Sequence, residues 1–522
     1  MRCLVLAMTF LAIFGAIRFA AAQTRPANPD SALQSILEQL EGTPLALENA
    51  VQQGLKSAAP LREAEAAYLA ARGAVRREKG AFDPELFLSF DYFDDELPSA
   101  SFFAGAAVLL TQESISRAGL RWSLPIGTEV EAAVNSTRLK TNSRFAFLNP
   151  QYNAFGSLSL RQPLLRGFAA SARKQLTSAE RELEAAKARY DQAVLGIRAE
   201  VESDYWDLYA AERDYAVQKL TRDRAAEFLR ETELRARTGL IGPNQVANAR
   251  TFLAEQELLL LNREEGLDRL SDRLAALIGM RPESGKPRFI AIDDPPADFP
   301  LEPVEILVQY ALENNYDLAA SKQQIESVRS LANAARWEAL PSVDVVGSLG
   351  GSGLSGTAQD VIFNDDTLRT GVSGGMGEAV SQAVSRDYPN WSVGVEVSIP
   401  IGLRSGLGEK ERLKAEVVRA EQRYIDQART LEEEVRSTYR ELYNGRRRLE
   451  AAREGVDAAQ EQVRIGLIEF SNGRSTAFEL VRLGEDFALA QQRYSQALVR
   501  TAKAAATLRQ LTSGGYPALP QN

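Results

Sequence analysis

The sequence predicts a mainly α-helical fold with a β-barrel part: one unit occurring twice, each copy joining amphipathic strands to a long antiparallel helical hairpin. Three observations predict it. The chain matches itself over a long stretch at a constant shift. Proline-free helical stripes run for tens of residues. Short segments of period two stand between the first helix of each copy and its hairpin.

The repeat comes first. At a shift of 234, Tyr190 meets Tyr424, Glu200-Val201 meets Glu434-Val435, Ser203 meets Ser437 and Tyr205 meets Tyr439. The match continues without a gap through Leu208-Tyr209 with Leu442-Tyr443, Arg213 with Arg447, Gly239 with Gly473 and Leu277 with Leu511. Upstream, Val51-Gln52, Leu55 and Leu61 match Val308-Gln309, Leu312 and Leu318 at a shift of 257, which falls to 237 where Pro163 meets Pro400. The first copy therefore carries about 20 extra residues between helices. The repeats are read as 23–281 and 304–512. Residues 282–303, with Asp293-Asp294-Pro295-Pro296, read as an exposed linker, and 513–522 as a disordered tail.

Residues 1–22 read as a secretory signal, with Arg2 before an apolar run from Cys3 to Ile17, then Ala20-Ala21-Ala22. Cleavage there would remove the only cysteine, Cys3, and leave no disulfide. Losing Arg2 and Arg18 from the 61 basic residues leaves 59 against 70 acidic ones, a net charge of −11, which argues against a nucleic-acid partner. Beyond the signal no apolar stretch reaches helix-spanning length, so any membrane crossing falls to strands.

The helical elements follow from periodicity. Leu183, Ala186, Tyr190, Val194, Ile197, Val201, Tyr205 and Leu208 recur every three or four residues, as do Val417, Tyr424, Ala428, Leu431, Val435, Tyr439 and Leu442 in the second copy. Between Ala169 and Arg237 only Gly196 interrupts, and there is no proline, so one helix of nearly seventy residues, about 100 Å long, is expected. Gly239 suits its C-terminal cap and Pro243 the first turn of a returning helix that reaches Leu277. Gly473 makes the corresponding turn, and Thr476-Ala-Phe-Glu479 has the spacing of a capping box.

Four strand segments alternate between an apolar and a wet face. They are Leu86-Leu88-Phe90-Tyr92, Leu158-Leu160, Val343-Val345-Leu349 and Trp391-Val393-Val395-Val397-Ile399. Alternation alone also fits a soluble sandwich capping the helices. Tyr92, Phe93, Tyr152, Phe155, Tyr388 and Trp391 at strand ends favour the aromatic girdles of a membrane barrel. Four strands cannot close such a barrel, so several chains would have to combine. The extra residues of the first copy, near 118–137, read as an added hairpin: Leu120, Trp122 and Leu124, then Pro125-Ile126-Gly127, then Val130, Ala132 and Val134. Its place in or out of the barrel is not fixed by period.

Composition excludes most catalysis. With no histidine, and no cysteine once the signal is removed, serine–histidine and cysteine–histidine nucleophiles and the usual zinc and copper sites cannot be built. No Gly-x-x-x-x-Gly-Lys-Ser/Thr loop is present, so the chain does not energise transport with a phosphate loop of its own. Asp94-Asp95-Glu96 and Asp365-Asp366 are read as solvated loop charge, and Arg446-Arg447-Arg448 as a solvated helix face. Met280 and Met376 are too few for a soft-metal relay. No enzyme activity, cofactor or metal is expected.

The order of elements, with Ser157-Leu-Ser-Leu-Arg-Gln-Pro-Leu-Leu-Arg-Gly167 and its counterpart Val393-Gly-Val-Glu-Val-Ser-Ile-Pro-Ile-Gly402, resembles the TolC-like outer membrane efflux family over roughly Leu45 to Gly514. The resemblance implies an exit duct of a tripartite efflux or type I secretion system. It implies a homotrimer with a 12-stranded barrel in outer-membrane lipid and an α-helical barrel crossing the periplasm. A periplasmic adaptor and an inner-membrane pump are the implied partners. The family's periplasmic gate falls by alignment on Asn244 and Gln245 in the first copy and on Phe470, Arg474, Ser475, Glu479 and Arg482 in the second. This chain departs from the pattern. Phe470 lacks the hydroxyl of the expected aromatic, the gate arginine falls on Ser475 with Arg474 adjacent, and Arg482 stands where an acid is expected. Adaptor docking would fall on the tips at Gly239, Leu240 and Gly473. A periplasmic adaptor and a barrel-anchored adhesin are the rival readings. An adaptor needs a single hairpin, and an adhesin needs its strands at one terminus.

Overall fold

The computed structural model describes residues 29–100, 104–239, 242–296, 299–363, 366–472 and 474–516. The expected signal, Leu240, Gly473, Asp365 and the end of the expected tail lie outside the described residues.

The first repeat runs α1 (Pro29–Glu38), β1 (Thr43–Leu45), α2 (Leu47–Ser57), α3 (Ala59–Gly80), β2 (Glu85–Pro98), β3 (Val108–Ser123), β4 (Glu129–Thr141), β5 (Leu148–Pro163), α4 (Lys174–Arg237) and α5 (Pro243–Ile278). β6 (Phe289–Ala291) follows in the intervening segment, and the second repeat runs α6 (Val304–Asn314), α7 (Tyr316–Glu338), β7 (Ser342–Ala358), β8 (Val361–Phe363), β9 (Asp366–Leu368), α8 (Met376–Ser385), β10 (Tyr388–Ser398), α9 (Arg404–Ser471) and α10 (Ala477–Leu511). The long helices α4 and α9 have 64 and 68 residues, so each is about 100 Å long at 1.5 Å per residue.

Each repeat packs the same stripe. Val201, Leu208 and Leu274 are buried in the first core, and Val435, Leu442 and Leu508, their counterparts at the shift of 234, are buried in the second. Val51 and Val308 enter these cores from α2 and α6. The helices form four columns. α3 lies along the sheet end of α4, where Tyr68 stacks on Tyr190 at 6.3 Å, and α5 lies along its far end, where Arg250 pairs with Glu233 at 2.8 Å. On the other side α7 meets α4 through Ser178 and Ser327 at 2.9 Å, and α10 meets it through Lys503 and Asp207 at 2.7 Å. α9 closes the set, bridged to α7 by Arg329–Glu421 at 2.8 Å and bonded to α10 by Arg500–Glu441.

The linker expectation is corrected. Within 282–303, β6 pairs in parallel with β1, and Phe289 is completely buried. Asp293 accepts the Leu47 amide at 2.6 Å at the start of α2, and Asp294 accepts the Tyr209 hydroxyl at 2.7 Å. The prolines keep the segment out of helix, but distant strand pairing and two carboxylates dock it onto α4. The tail expectation is corrected in part. Tyr516 packs edge-on against Tyr310 at 5.3 Å, and its amide donates to Thr512 Oγ1 at 3.1 Å.

The strands form one antiparallel sheet in the order β10-β7-β5-β4-β3-β2. Four wall strands were expected; there are six, because β3 and β4 sit inside the sheet between β2 and β5. The Asp94-Asp95-Glu96 group was expected in a loop. It lies within β2, opposite Gln112, Thr111 and Leu110, because the strand continues past its apolar half.

Candidate functional site

Register puts the apolar positions of all six strands on one face. Leu86, Leu120, Ala132, Leu158, Leu349 and Trp391 stand side by side in a single row from β2 to β10. This face is uncovered: Leu88 is 74% exposed, Trp391 74% and Val393 75%. An apolar surface of this extent left in water marks contact with lipid or another apolar partner. The opposite face carries Ser89, Arg117, Asn135, Phe155, Ser352 and Tyr388 in one row. Arg121 pairs there with Glu131 at 3.1 Å. A single layer with one dry and one wet face is the wall of a membrane barrel, whereas the soluble sandwich requires a second sheet over the dry face.

The aromatic expectation splits by parity. Tyr92 and Trp391 lie on the apolar face, but Phe93, Phe155 and Tyr388 lie on the polar face beside Glu113, Ser352 and Asn153. Position near a strand end does not decide which face a side chain takes. Residue parity does.

Beyond the band the same face turns polar, with Asp94 and Glu96 on β2, Ser114 and Gln112 on β3, and Arg138 and Lys140 on β4. Helix α8 rests here on β5 and β7, a feature the period-two reading missed. Gly156, Gly351 and Gly353 clear its track, and a Cβ on Gly353 would come within 1.9 Å of the Ala379 carbonyl. Ala379 and Ala383 are buried against the sheet, and Ser355 Oγ donates to the Gly375 carbonyl at 2.7 Å. The run Gly347 to Gly356, with small residues at nearly every position, was the available signal.

At the other end of the helices the two hairpin tips lie together, with Phe228 of α4 6.0 Å from Phe478 of α10. Gly239 adopts φ +75 just past α4, the left-handed C-terminal cap expected of it, and Pro243 opens α5. Asn244 and Gln245 are exposed in that first turn. Across the tip, Thr476 caps α10 by accepting the Glu479 amide at 3.2 Å, and Ser475 Oγ donates to Glu479 Oε2 at 3.1 Å. Arg474, Glu479 and Arg482 are exposed, and the ion pair nearest in sequence, Arg464–Glu461, does not involve them. Phe470 is half-buried and lines a cavity of about 580 Å³ with Arg224, Phe228, Leu467 and Leu480. Burial lowers the pKa of Arg224 there.

Sequence reasoning also missed charged groups between these ends. Glu212 on α4 is buried and accepts the Ala291 amide of β6 at 2.7 Å, and burial pushes its carboxyl up to about 8. Asp204, buried beside Arg273 at 3.0 Å, is likewise raised by burial. The Glu212 bond ties β6 to α4, and the Asp204 pair ties α4 to α5. No group of three or more potential metal ligands occurs among the described residues. No helix among them is long and apolar enough to cross a membrane.

Residues 307–514 match the family model described as Outer membrane efflux protein. No curated protein is significantly similar in sequence. In fold the chain is similar to the outer-membrane channel OprN, with a TM-score of 0.62 and 19% identity over 94% of this chain and 92% of that one. It is also similar to the CmeC outer membrane channel of Campylobacter jejuni, with a TM-score of 0.62 and 15% identity over 90% and 86%. The outer membrane protein VceC of Vibrio cholerae aligns with a TM-score of 0.61 and 15% identity over 90% and 97%. The family match lies within the second repeat, and the fold similarity to these outer-membrane channels extends over both repeats.

Proposed function

We propose that three copies of this chain form the exit duct of a tripartite efflux or type I secretion system, conducting solutes passively from periplasm to exterior. The observation that carries this is the joining of two surfaces by one set of helices. An uncovered apolar row crosses six strands at one end, and paired hairpin tips stand about 100 Å away at the other. Each repeat, 23–281 and 304–512, supplies strands to the wall and one hairpin to the helical barrel, with 282–303 docked between them. The apolar row faces outer-membrane lipid. The tips at Gly239, Leu240 and Gly473 receive a periplasmic adaptor, through which an inner-membrane pump supplies the energy. Asn244, Gln245, Phe470, Arg474, Ser475, Glu479 and Arg482 are the aperture residues. Their polar groups close the mouth across protomer boundaries, and the half-buried Phe470 braces the tip from behind.

Membrane fractionation followed by mass measurement tests the assembly. A trimer in the outer membrane is expected; a soluble monomer overturns the proposal. Photo-crosslinkers placed at Asn244 and Arg474 test the tips. Capture of an adaptor there, with none from a crosslinker at the sheet-end residue Glu421, is expected, and equal capture from both places contradicts the docking assignment.

A further inference from the structure

We infer that the barrel wall of the assembled protein has 18 strands, six from each chain, closed by pairing β2 of one copy with β10 of the next; this rests on the trimeric duct proposed above. The sheet leaves two free edges, β2 and β10, and every internal neighbour is antiparallel. β2 leaves the helices and β10 returns to them, so two such edges from different copies meet antiparallel. An even number of strands per chain is what permits that. Both edges carry the same pattern, with Leu86, Leu88 and Phe90 on β2 and Trp391, Val393 and Val395 on β10 exposed on the apolar face. Joining them continues the apolar band and the polar lining without a break, and removes the unpaired edges that are otherwise a liability.

The hairpin β3–β4 cannot be set aside as an appendage. β5 reaches β2 only through it, with Ala118 opposite Leu88 on one side and Val134 on the other. It also follows the wall's two-faced chemistry. Leu120, Trp122 and Val130 lie on the apolar face, and Arg117, Glu131 and Asn135 on the polar face. Its turn is held at the helix end, where Trp122 Nε1 donates to the Phe82 carbonyl at 2.9 Å.

The widths are compatible with this count. Strands about 4.8 Å apart and tilted about 40° give a barrel roughly 24 Å across for 12 strands and roughly 36 Å for 18. Four helical columns per chain give twelve per trimer. At about 10 Å spacing these form a ring roughly 38 Å across. A wall of 18 strands meets that ring at nearly its own width, so the opening through the membrane is as wide as the helical duct and the tips form the narrowest passage.

Electron cryomicroscopy of the full-chain trimer in lipid nanodiscs counts the strands. Eighteen, with β3 and β4 between β2 and β5, is expected; a trimer with 12 wall strands overturns the inference and leaves the duct reading standing. Adjacent cysteines on β3 give a separate readout. Arg117→Cys should react with a membrane-impermeant maleimide through the lumen. Ala118→Cys should resist it, and a fluorophore attached to Ala118→Cys in detergent before reconstitution should be quenched by brominated lipid. Equal maleimide labelling of both in a conducting trimer places the hairpin in water and overturns the inference alone. A non-conducting monomer removes the duct reading together with it.

Discussion

Arg161 of β5 donates to Asp344 of β7 at 2.6 Å on the polar face of the sheet, joining the two repeats where the wall meets the helices. Asp344 is 3% exposed, and Glu396 of β10 stands 4.0 Å from the same guanidinium. Arg161→Ala therefore leaves a carboxylate buried without its cation. It is expected to destabilise the assembly by roughly 1–3 kcal/mol. Arg161→Ala with Asp344→Asn should recover part of the loss. Thermal unfolding of the two variants checks this, and an unchanged midpoint for the single variant contradicts the role of the pair.

Gly353 makes room for α8 at a point where backbone meets backbone. Gly353→Ala places a methyl group against the Ala379 carbonyl, which no side-chain rotation relieves. A cost of about 1–3 kcal/mol is expected, concentrated on the helix rather than the sheet. Hydrogen exchange should quicken from Ala379 to Ala383 while the β5–β7 amides stay protected. Unaltered exchange in α8 would show that the close packing does not hold it.

Glu212 gives a pH dependence with a definite sign. Its folded-state pKa is raised from 4.5 to about 8, chiefly by burial, so the folded chain holds a proton that the unfolded chain has already released. The stability contributed by the neutral form is full below about pH 4.5 and is lost as pH rises to about 8. Glu212→Gln keeps the acceptor for the Ala291 amide. Helix unfolding followed by circular dichroism should be less pH-dependent for this variant across that window. A wild-type slope that persists in it excludes Glu212 as the source.

Thr476 and Glu479 separate folding from selection at the tip. Thr476→Ala removes a capping bond and should cost about 1 kcal/mol of local stability, seen as faster exchange in the first turn of α10. Glu479→Gln leaves that cap in place, since the bond is to the backbone amide, but removes an exposed negative charge at the proposed mouth. Cation preference measured by reversal potential should fall. Unchanged ion selectivity rejects Glu479 as an aperture residue.

The cores were legible because burial repeats with the sequence. Val201 and Val435 are both completely buried at positions that the shift of 234 had paired. Hairpin ends were legible at Gly239, Pro243 and Thr476, whose conformational preferences act locally. The polar and apolar faces of β2 and β10 followed from period two. What failed depends on partners remote in sequence. Period two gives β3 and β4 two faces but cannot name their neighbours, and Pro295-Pro296 says nothing of Phe289 pairing beside Thr43. The aromatics near strand ends were assigned by position when parity was needed, and α8 owes its place to glycines on strands that precede it. At the tips Arg474 and Arg482 face solvent, and nothing in the local pattern of the chain assigns them a contact.

Three assembled copies are expected to open a water-filled path through a membrane. Purified full-length oligomer added to planar lipid bilayers measures this directly. Stepwise, long-lived ohmic conductance from material of trimeric mass is the predicted result. Silent bilayers, with the protein recovered as a soluble monomer, would contradict it.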